Sequence, residues 1–592
     1  MLSNSTKSDG PAGNSEAELR RAAQEARAAV AAAPEDEAAA VSLREAVQEY
    51  QRAFPRRRPE PRDVAPALTE ARRLIDEGDL EPAEVMLRKH LADCRNDPPA
   101  MHMMAEIAAY CGLREDAERI LDRSAFLNGD SPDTLVLLAA TLHLIAYRED
   151  IPEFIFKAAR VLERALELDP RHEGAMSFKA SMMMQTRGLE QARSTYEQLI
   201  ELSPQVPLHW INYGSLLNAL GQWSAALAAY RTALALDPAN GENWWILADL
   251  KKATLFPSDI AQMTAALADE KLPEQARIPM HFAMAKAFDA AGEYRQSIAN
   301  IEQGSEIHRR LETNPPESII RGGEFIRRTF TPEFFAQRSG WGDPRPGPIF
   351  IVGMHRAGST LVEQILSSHS QIEGTEELFI LSKFSRELAL ASRDRDPGEV
   401  ISELGDEDFR SFAERYLETS GRSRQTDRPY LTDKFPGNWQ YVGLIHLMFP
   451  NAKIIDVRRN PMDCCFANYT RHYGKGVNYS YGQREMGRQY CDYVATMRHF
   501  DAVLPGRVYR LIHDDLVDNF EGELRGLLEY IGVPFEEGCL QFFQTDRPVH
   551  TPSAEQVREP INRKGFGRWR NYEPWLTELQ ESLADVMDDW RR

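Results

Sequence analysis

The chain has 592 residues, 43% of them hydrophobic and 27% charged, and a net charge of −20. That length implies two to four domains. The acidic balance argues against nucleic-acid binding through a broad basic face, and no run of about 18 apolar residues exists to form a membrane-spanning helix.

The N-terminus is polar and has no apolar segment of a secretory signal. Six cysteines, Cys94, Cys111, Cys464, Cys465, Cys491 and Cys539, show neither a disulfide framework nor zinc-ligand spacing, which predicts a reduced, metal-free, cytoplasmic protein. The adjacent pair Cys464 and Cys465 is either redox-active or two small buried residues on a helix.

Residues 1–62 are rich in Ala, Glu and Arg and end in a Pro/Arg run, predicting a helical or disordered leader and a linker. From 63 to 312 the sequence repeats. Pro170, Pro204 and Pro238 fall 34 residues apart, as do Pro98 and Pro132. The step of 38 from Pro132 to Pro170 implies a four-residue insertion near residues 147–150. The unit 207–240 carries Trp210, Gly214, Leu217, Ala226, Tyr230, Ala233 and Pro238 at tetratricopeptide positions. Ala180, Ala192, Tyr196 and Pro204 repeat that register upstream, and Ala285, Gly292, Tyr294 and Ile298 downstream. An α-solenoid of about six repeats is expected, with a groove that a peptide or protein partner can occupy. Residues 313–345 connect the solenoid to the C-terminal part of the chain.

From 346 to 592 the pattern changes to strands alternating with amphipathic helices. Residues 349–352, 453–457 and 508–512 read as buried strands of a parallel α/β sheet, with ligands expected at their carboxyl ends. After the first strand comes the loop Gly353-Met354-His355-Arg356-Ala357-Gly358-Ser359-Thr360. Its glycines match a P-loop and its geometry aims backbone N–H groups at an anion. The P-loop lysine that reaches the β- and γ-phosphates is absent. Ser359 stands in its place and the cation is Arg356, which suits a nucleotide with one 5′-phosphate. Three more segments lie at strand ends or strand–helix turns: 372–378 with Glu376 and Glu377, 431–438 with Lys434, and 456–463 with Arg458 and Arg459.

On these residues the chain resembles the tetratricopeptide-repeat sulfotransferases, relatives of the tyrosylprotein sulfotransferases. The resemblance runs from about Pro348 to Trp569. It implies a P-loop-like α/β sulfotransferase domain after the solenoid, with 3′-phosphoadenosine 5′-phosphosulfate (PAPS) as cosubstrate. Carried over, Arg356, Ala357, Gly358, Ser359 and Thr360 hold the 5′-phosphosulfate. Glu377, 21 residues after Arg356, is the base, with Glu376 its rival. Lys434 neutralises the leaving bisphosphate, and Ser553 assists it. Arg459, or its neighbour Arg458, binds the 3′-phosphate, with Arg568 nearby.

Two departures stand out. His355 replaces the family's usual proline. There it can donate a hydrogen bond, act in acid–base work, or be a substitution the loop tolerates. Ala467 replaces a serine that binds the 3′-phosphate, for which Asn468 or Arg568 could compensate. These departures keep open a second reading, a repeat scaffold whose sulfotransferase-like domain is inactive or only senses nucleotide. A P-loop kinase is disfavoured by Ser359. The stretch 468–481, aromatic and basic, reads as a loop over the acceptor site or as a plain aromatic cluster. The acceptor itself (peptide tyrosine, glycan, lipid or small molecule) leaves no mark on the sequence.

Overall fold

Two helices precede the repeats, α1 (Glu16–Ala32) and α2 (Glu37–Ala53). In α1, Ser15 caps the first turn and Glu18 closes a capping box. The 34-residue period then becomes six helical pairs: α3 (Pro66–Glu77) with α4 (Leu80–Asp93), α5 (Pro98–Tyr110) with α6 (Arg114–Asn128), α7 (Pro132–Glu149) with α8 (Pro152–Leu168), α9 (Glu173–Gln185) with α10 (Leu189–Leu202), α11 (Pro207–Ala219) with α12 (Trp223–Leu236), and α13 (Gly241–Asp249) with α14 (Pro257–Leu267). The computed structural model describes residues 15–55, 65–149, 152–185, 188–250, 253–312, 317–375, 377–392, 395–474, 476–545, 547 and 556–592. It divides into two compact units, Met1–Leu272 and Pro273–Arg592.

The prolines explain the repeat boundaries. Pro98, Pro132 and Pro207 each open a helix, where a fixed φ and a missing N–H cost nothing. Pro170, Pro204 and Pro238 instead sit three residues before a helix start, in the preceding turn. The two sets are therefore not equivalent. Measured between helix starts, Pro132 and Glu173 are 41 residues apart where Glu173 and Pro207 are 34 apart, an excess of seven. The four-residue estimate from proline spacing is corrected accordingly. α7, with 18 residues against 13 in α5, α9 and α11, carries most of the excess.

Within the pair α11–α12 the crossing is close. A Cβ on Gly214 would lie 2.8 Å from Cε1 of Tyr230, so only glycine admits that ring. α12 is buried at every position from Ala226 to Leu236, because α1 and α2 pack across it with Leu19, Ala23, Ala26, Val30, Leu43 and Val47. Polar contacts reinforce this. Arg27 stacks over Trp210 at 3.8 Å, and Arg44 joins Arg231 on the buried carboxylate of Asp259. The predicted leader thus contains a packed helical hairpin. Residues 1–14 and 56–64 lie outside the described residues.

The second unit begins with α15 (Glu274–Ala290) and α16 (Tyr294–Leu311), the pair bearing the last repeat signature. His308 of α16 stacks on Tyr481, 3.6 Å between centroids and 4° between planes. The Tyr481 hydroxyl lies 2.8 Å from Nδ1 of His472 and accepts from the backbone N–H of Tyr473 and Gly474. His472 and Tyr481 are therefore clamped against this helical pair.

Five parallel strands complete the second unit: β1 (Ile349–Gly353), β2 (Ile372–Glu373), β3 (Tyr430–Asp433), β4 (Lys453–Arg458) and β5 (Val508–Ile512), in the order β2-β3-β1-β4-β5. β1 is central and fully buried, with Ile349 opposite Thr432 on one side and Ile351 opposite Ile455 on the other. Chain order reverses at β1, so a crevice opens at the carboxyl ends of β1, β3 and β4. The sequence marks β2 and β3 only as strand-end segments; at two and four residues they are too short to show a period. Among the described residues no helix is long and apolar enough to cross a membrane.

Candidate functional site

The loop after β1 is held by its two glycines. Gly353 has φ 145°, and a Cβ there would lie 2.4 Å from the carbonyl oxygen of Val457 on β4. Gly358 has φ 106°, and a Cβ there would meet the ring of His513 at 2.4 Å. Between them Arg356 adopts φ 63°, the one non-glycine with positive φ among the described residues. Such backbone is rare outside glycine and is held in place by its surroundings. The loop enters α17 (Ser359–Ser367), with Ser359 and Thr360 buried in its first turn. First-turn N–H groups and the helix dipole favour an anion there.

Neighbouring elements fix the loop's carbonyls. Asn468 of α18 (Pro461–Tyr469) donates through Nδ2 to the His355 oxygen at 2.7 Å. Arg459 donates through Nη1 to the Arg356 oxygen at 3.1 Å and through Nη2 to Gly565 at 2.6 Å. Among the described residues, the Nε of Arg459 is buried without a hydrogen-bond partner, as is Nδ1 of His513. Buried polar atoms normally have partners, so these two mark a place beside the loop suited to a ligand that hydrogen-bonds. Burial, with Arg459 adding to it, holds His513 down to about 3.

Lys434 follows β3 and Glu377 follows β2, and the two meet. Nζ of Lys434, 1% exposed, donates to Oε1 of Glu377 at 2.5 Å, while the carboxylate is 35% exposed. Lys434 thus comes from the buried side of the crevice and Glu377 from its open side. Thr375 bonds Thr432 through both its backbone N–H and its hydroxyl, which ties the Glu377 segment to β3. Behind Lys434, Asp433 is fully buried and accepts from the Tyr416 hydroxyl at 2.6 Å. Burial pushes its carboxyl up to about 7, against the opposing pull of that hydrogen bond.

The two adjacent arginines diverge. Arg458 is buried, pairs with Asp456 at 2.7 Å and donates to the carbonyls of Trp590 and Arg592. Arg459 turns to the loop. Arg568 is exposed and pairs with Asp289 of α15, which also accepts from Tyr572 at 2.7 Å. Asn468, already bonded to His355, also takes the Tyr473 hydroxyl on Oδ1 at 2.6 Å. Both groups that could compensate for Ala467 are therefore engaged elsewhere. Ser553 and the rival Glu376 lie outside the described residues.

His355 sits in an aromatic corner. Its Nδ1 is 3.0 Å from the Tyr479 hydroxyl, and its ring meets Tyr473 edge-on at 5.8 Å. Burial holds its pKa down to about 4; Glu377 draws it up, while Lys434 and Arg356 push it lower. Two further neighbours, His513 and Asp433, carry no separate sequence signal, whereas a third, Gly565, is marked by the basic pair Arg563-Lys564 before it.

Residues 348–537 match the family model described as the sulfotransferase family, and residues 210–240 match that of the tetratricopeptide repeat. An uncharacterised protein of Aquifex aeolicus is 29% identical over 468 residues, 75% of this chain; the chain spans 56% of that relative's length. A Caenorhabditis briggsae protein provisionally named a protein-tyrosine sulfotransferase is 21% identical over 245 residues, covering 40% of this chain and 85% of its own. Among solved structures, the sulfotransferase domain from the curacin biosynthetic pathway aligns at 20% identity over 41% of this chain and 98% of its own, with a TM-score of 0.31. The MamA structure aligns at 18% identity over 29% of this chain and 96% of its own, with a TM-score of 0.22.

Proposed function

From the premise of a sulfotransferase-family domain joined to tetratricopeptide repeats, we propose that the chain transfers a sulfuryl group from PAPS to a hydroxyl acceptor. The observation that carries the proposal is the contact between Lys434 and Glu377 at the carboxyl end of the sheet, beside the Arg356 loop. A buried ammonium and a half-open carboxylate are the cation and base that an in-line displacement uses.

PAPS supplies an activated sulfuryl group on a single 5′-phosphate. The residues fit that chemistry: a loop without the P-loop lysine, a helix N-terminus, and Arg459 with a buried Nε that has no partner among the described residues. In this reading Arg356, Ser359 and Thr360 hold the phosphosulfate and Arg459 the 3′-phosphate. Glu377 accepts the acceptor's hydroxyl proton as the new O–S bond forms. The S–O bond to the 5′-phosphate breaks, and Lys434 and Arg356 stabilise the charge left on the bisphosphate. Lys434 also holds the Glu377 carboxylate in place until the acceptor arrives. The repeats of the first unit are proposed to hold a peptide or protein.

The test is incubation with PAPS and a pool of hydroxyl acceptors, reading bisphosphate release and an added sulfuryl mass. Glu377→Gln is expected to cut turnover by about 10²–10⁴-fold while bisphosphate binding persists. Absence of both release and micromolar bisphosphate binding overturns the reading. Binding without release from any acceptor supports the scaffold reading instead.

A further inference from the structure

His355 is a polar loop residue without a role in the scheme above, and its surroundings are built. Its Nδ1 lies 3.0 Å from the hydroxyl of Tyr479, a residue 8% exposed. Burial raises the Tyr479 pKa well above its ordinary value, so the hydroxyl keeps its proton. A buried hydroxyl proton needs an acceptor, and Nδ1 is in reach. If Tyr479 donates, Nδ1 is the lone-pair nitrogen and the ring proton sits on Nε2.

The ring is also held in position. Tyr473 packs against it edge-on, and Asn468 binds both the Tyr473 hydroxyl and the His355 backbone oxygen. One asparagine therefore fixes the residue and the wall beside it. The ring is also close enough to Glu377, Lys434 and Arg356 to respond to all three charges.

We propose that His355 offers its Nε2–H to the transferring sulfuryl group, with Tyr479 fixing that tautomer and Asn468 the ring position. This deepens the sulfotransferase reading and rests on it. The sulfuryl oxygens are negative, and a preorganised donor aimed at them needs no reorganisation during transfer. A third cation beside Arg356 and Lys434 would repel both, whereas an N–H dipole adds stabilisation without net charge. Low basicity, set by burial, keeps the ring in that neutral form at pH 7. Glu377 thus remains the base, and His355 makes direct contact as a donor.

The test combines tautomer and kinetics in the full chain. With ring-15N histidine, the His355 signal, assigned by its loss in His355→Gln, is expected to show Nε2–H from pH 6 to 8. In Tyr479→Phe it is expected to become a mixture of tautomers. His355→Leu should lower kcat by about 10²-fold, the effect of losing one preorganised donor, with bisphosphate affinity unchanged. His355→Gln keeps an N–H near the Nε2 position and should retain kcat within about fivefold of the parent on the same grounds. An Nδ1–H or doubly protonated ring at pH 7, or equal losses in Leu and Gln variants, overturns the proposal. If the unaltered chain releases no bisphosphate, it is the sulfotransferase reading that has failed; if it turns over and the variants behave otherwise, the failure is that of His355.

Discussion

Asp433 permits a prediction whose sign and size derive from its position. Its carboxyl is fully buried at the end of β3, one residue before Lys434, and its pKa stands at about 7 against an ordinary 3.8. Burial disfavours the charged form, so the folded state holds the proton between pH 4 and 7 while the unfolded chain has released it. The stability contributed is full below the unfolded pKa and is lost as pH rises through about 7. Between pH 5 and pH 8.5 the loss amounts to about 2–3 kcal/mol. Asp433→Asn removes the titration and keeps a carbonyl for the Tyr416 hydroxyl. Denaturant unfolding of both proteins, measured at pH 5, 7 and 8.5, is therefore expected to show the variant gaining on the parent by that amount as pH rises. A gap that does not change with pH, or one that favours the parent at high pH, would refute the burial argument.

Four further outcomes are expected. Arg459→Ala should weaken bisphosphate binding by about 10–100-fold, as loss of charge-assisted hydrogen bonds does, with little change in melting temperature. Arg458→Ala should instead destabilise the second unit by about 3–5 kcal/mol, because it removes the nearest cation from the buried Asp456 carboxylate and leaves it Arg510 at 3.5 Å; calorimetric titration and thermal melts separate the two. Ala467→Ser should tighten bisphosphate binding by about tenfold, the worth of one hydrogen bond to a charged group, measured by titration. Gly214→Ala should lower the stability of the first unit by about 1–3 kcal/mol through overpacking on Tyr230, seen in its melting transition, with bisphosphate affinity unaffected.

What the sequence alone determined is what local periodicity and local chemistry encode. The repeats declare themselves because proline, small and aromatic residues recur at one interval, and that interval is a helix–turn–helix unit of chain. The loop from Gly353 to Thr360 is legible because its two glycines stand at P-loop spacing, where the backbone turns to positive φ, and three strands, β1, β4 and β5, because four or more apolar-rich residues run together. Tertiary structure alone decided the partnerships. Arg458 and Arg459 are neighbours in sequence, yet one is taken by Asp456 and the C-terminal carbonyls while the other meets a loop about a hundred residues upstream. Arg568, expected beside the nucleotide, pairs with Asp289, and Asn468 is spent on His355. The hairpin α1–α2 finds its partner in α12, nearly two hundred residues away. Such pairings depend on which surfaces meet after the chain has collapsed, and a side chain's type and local spacing do not contain that information.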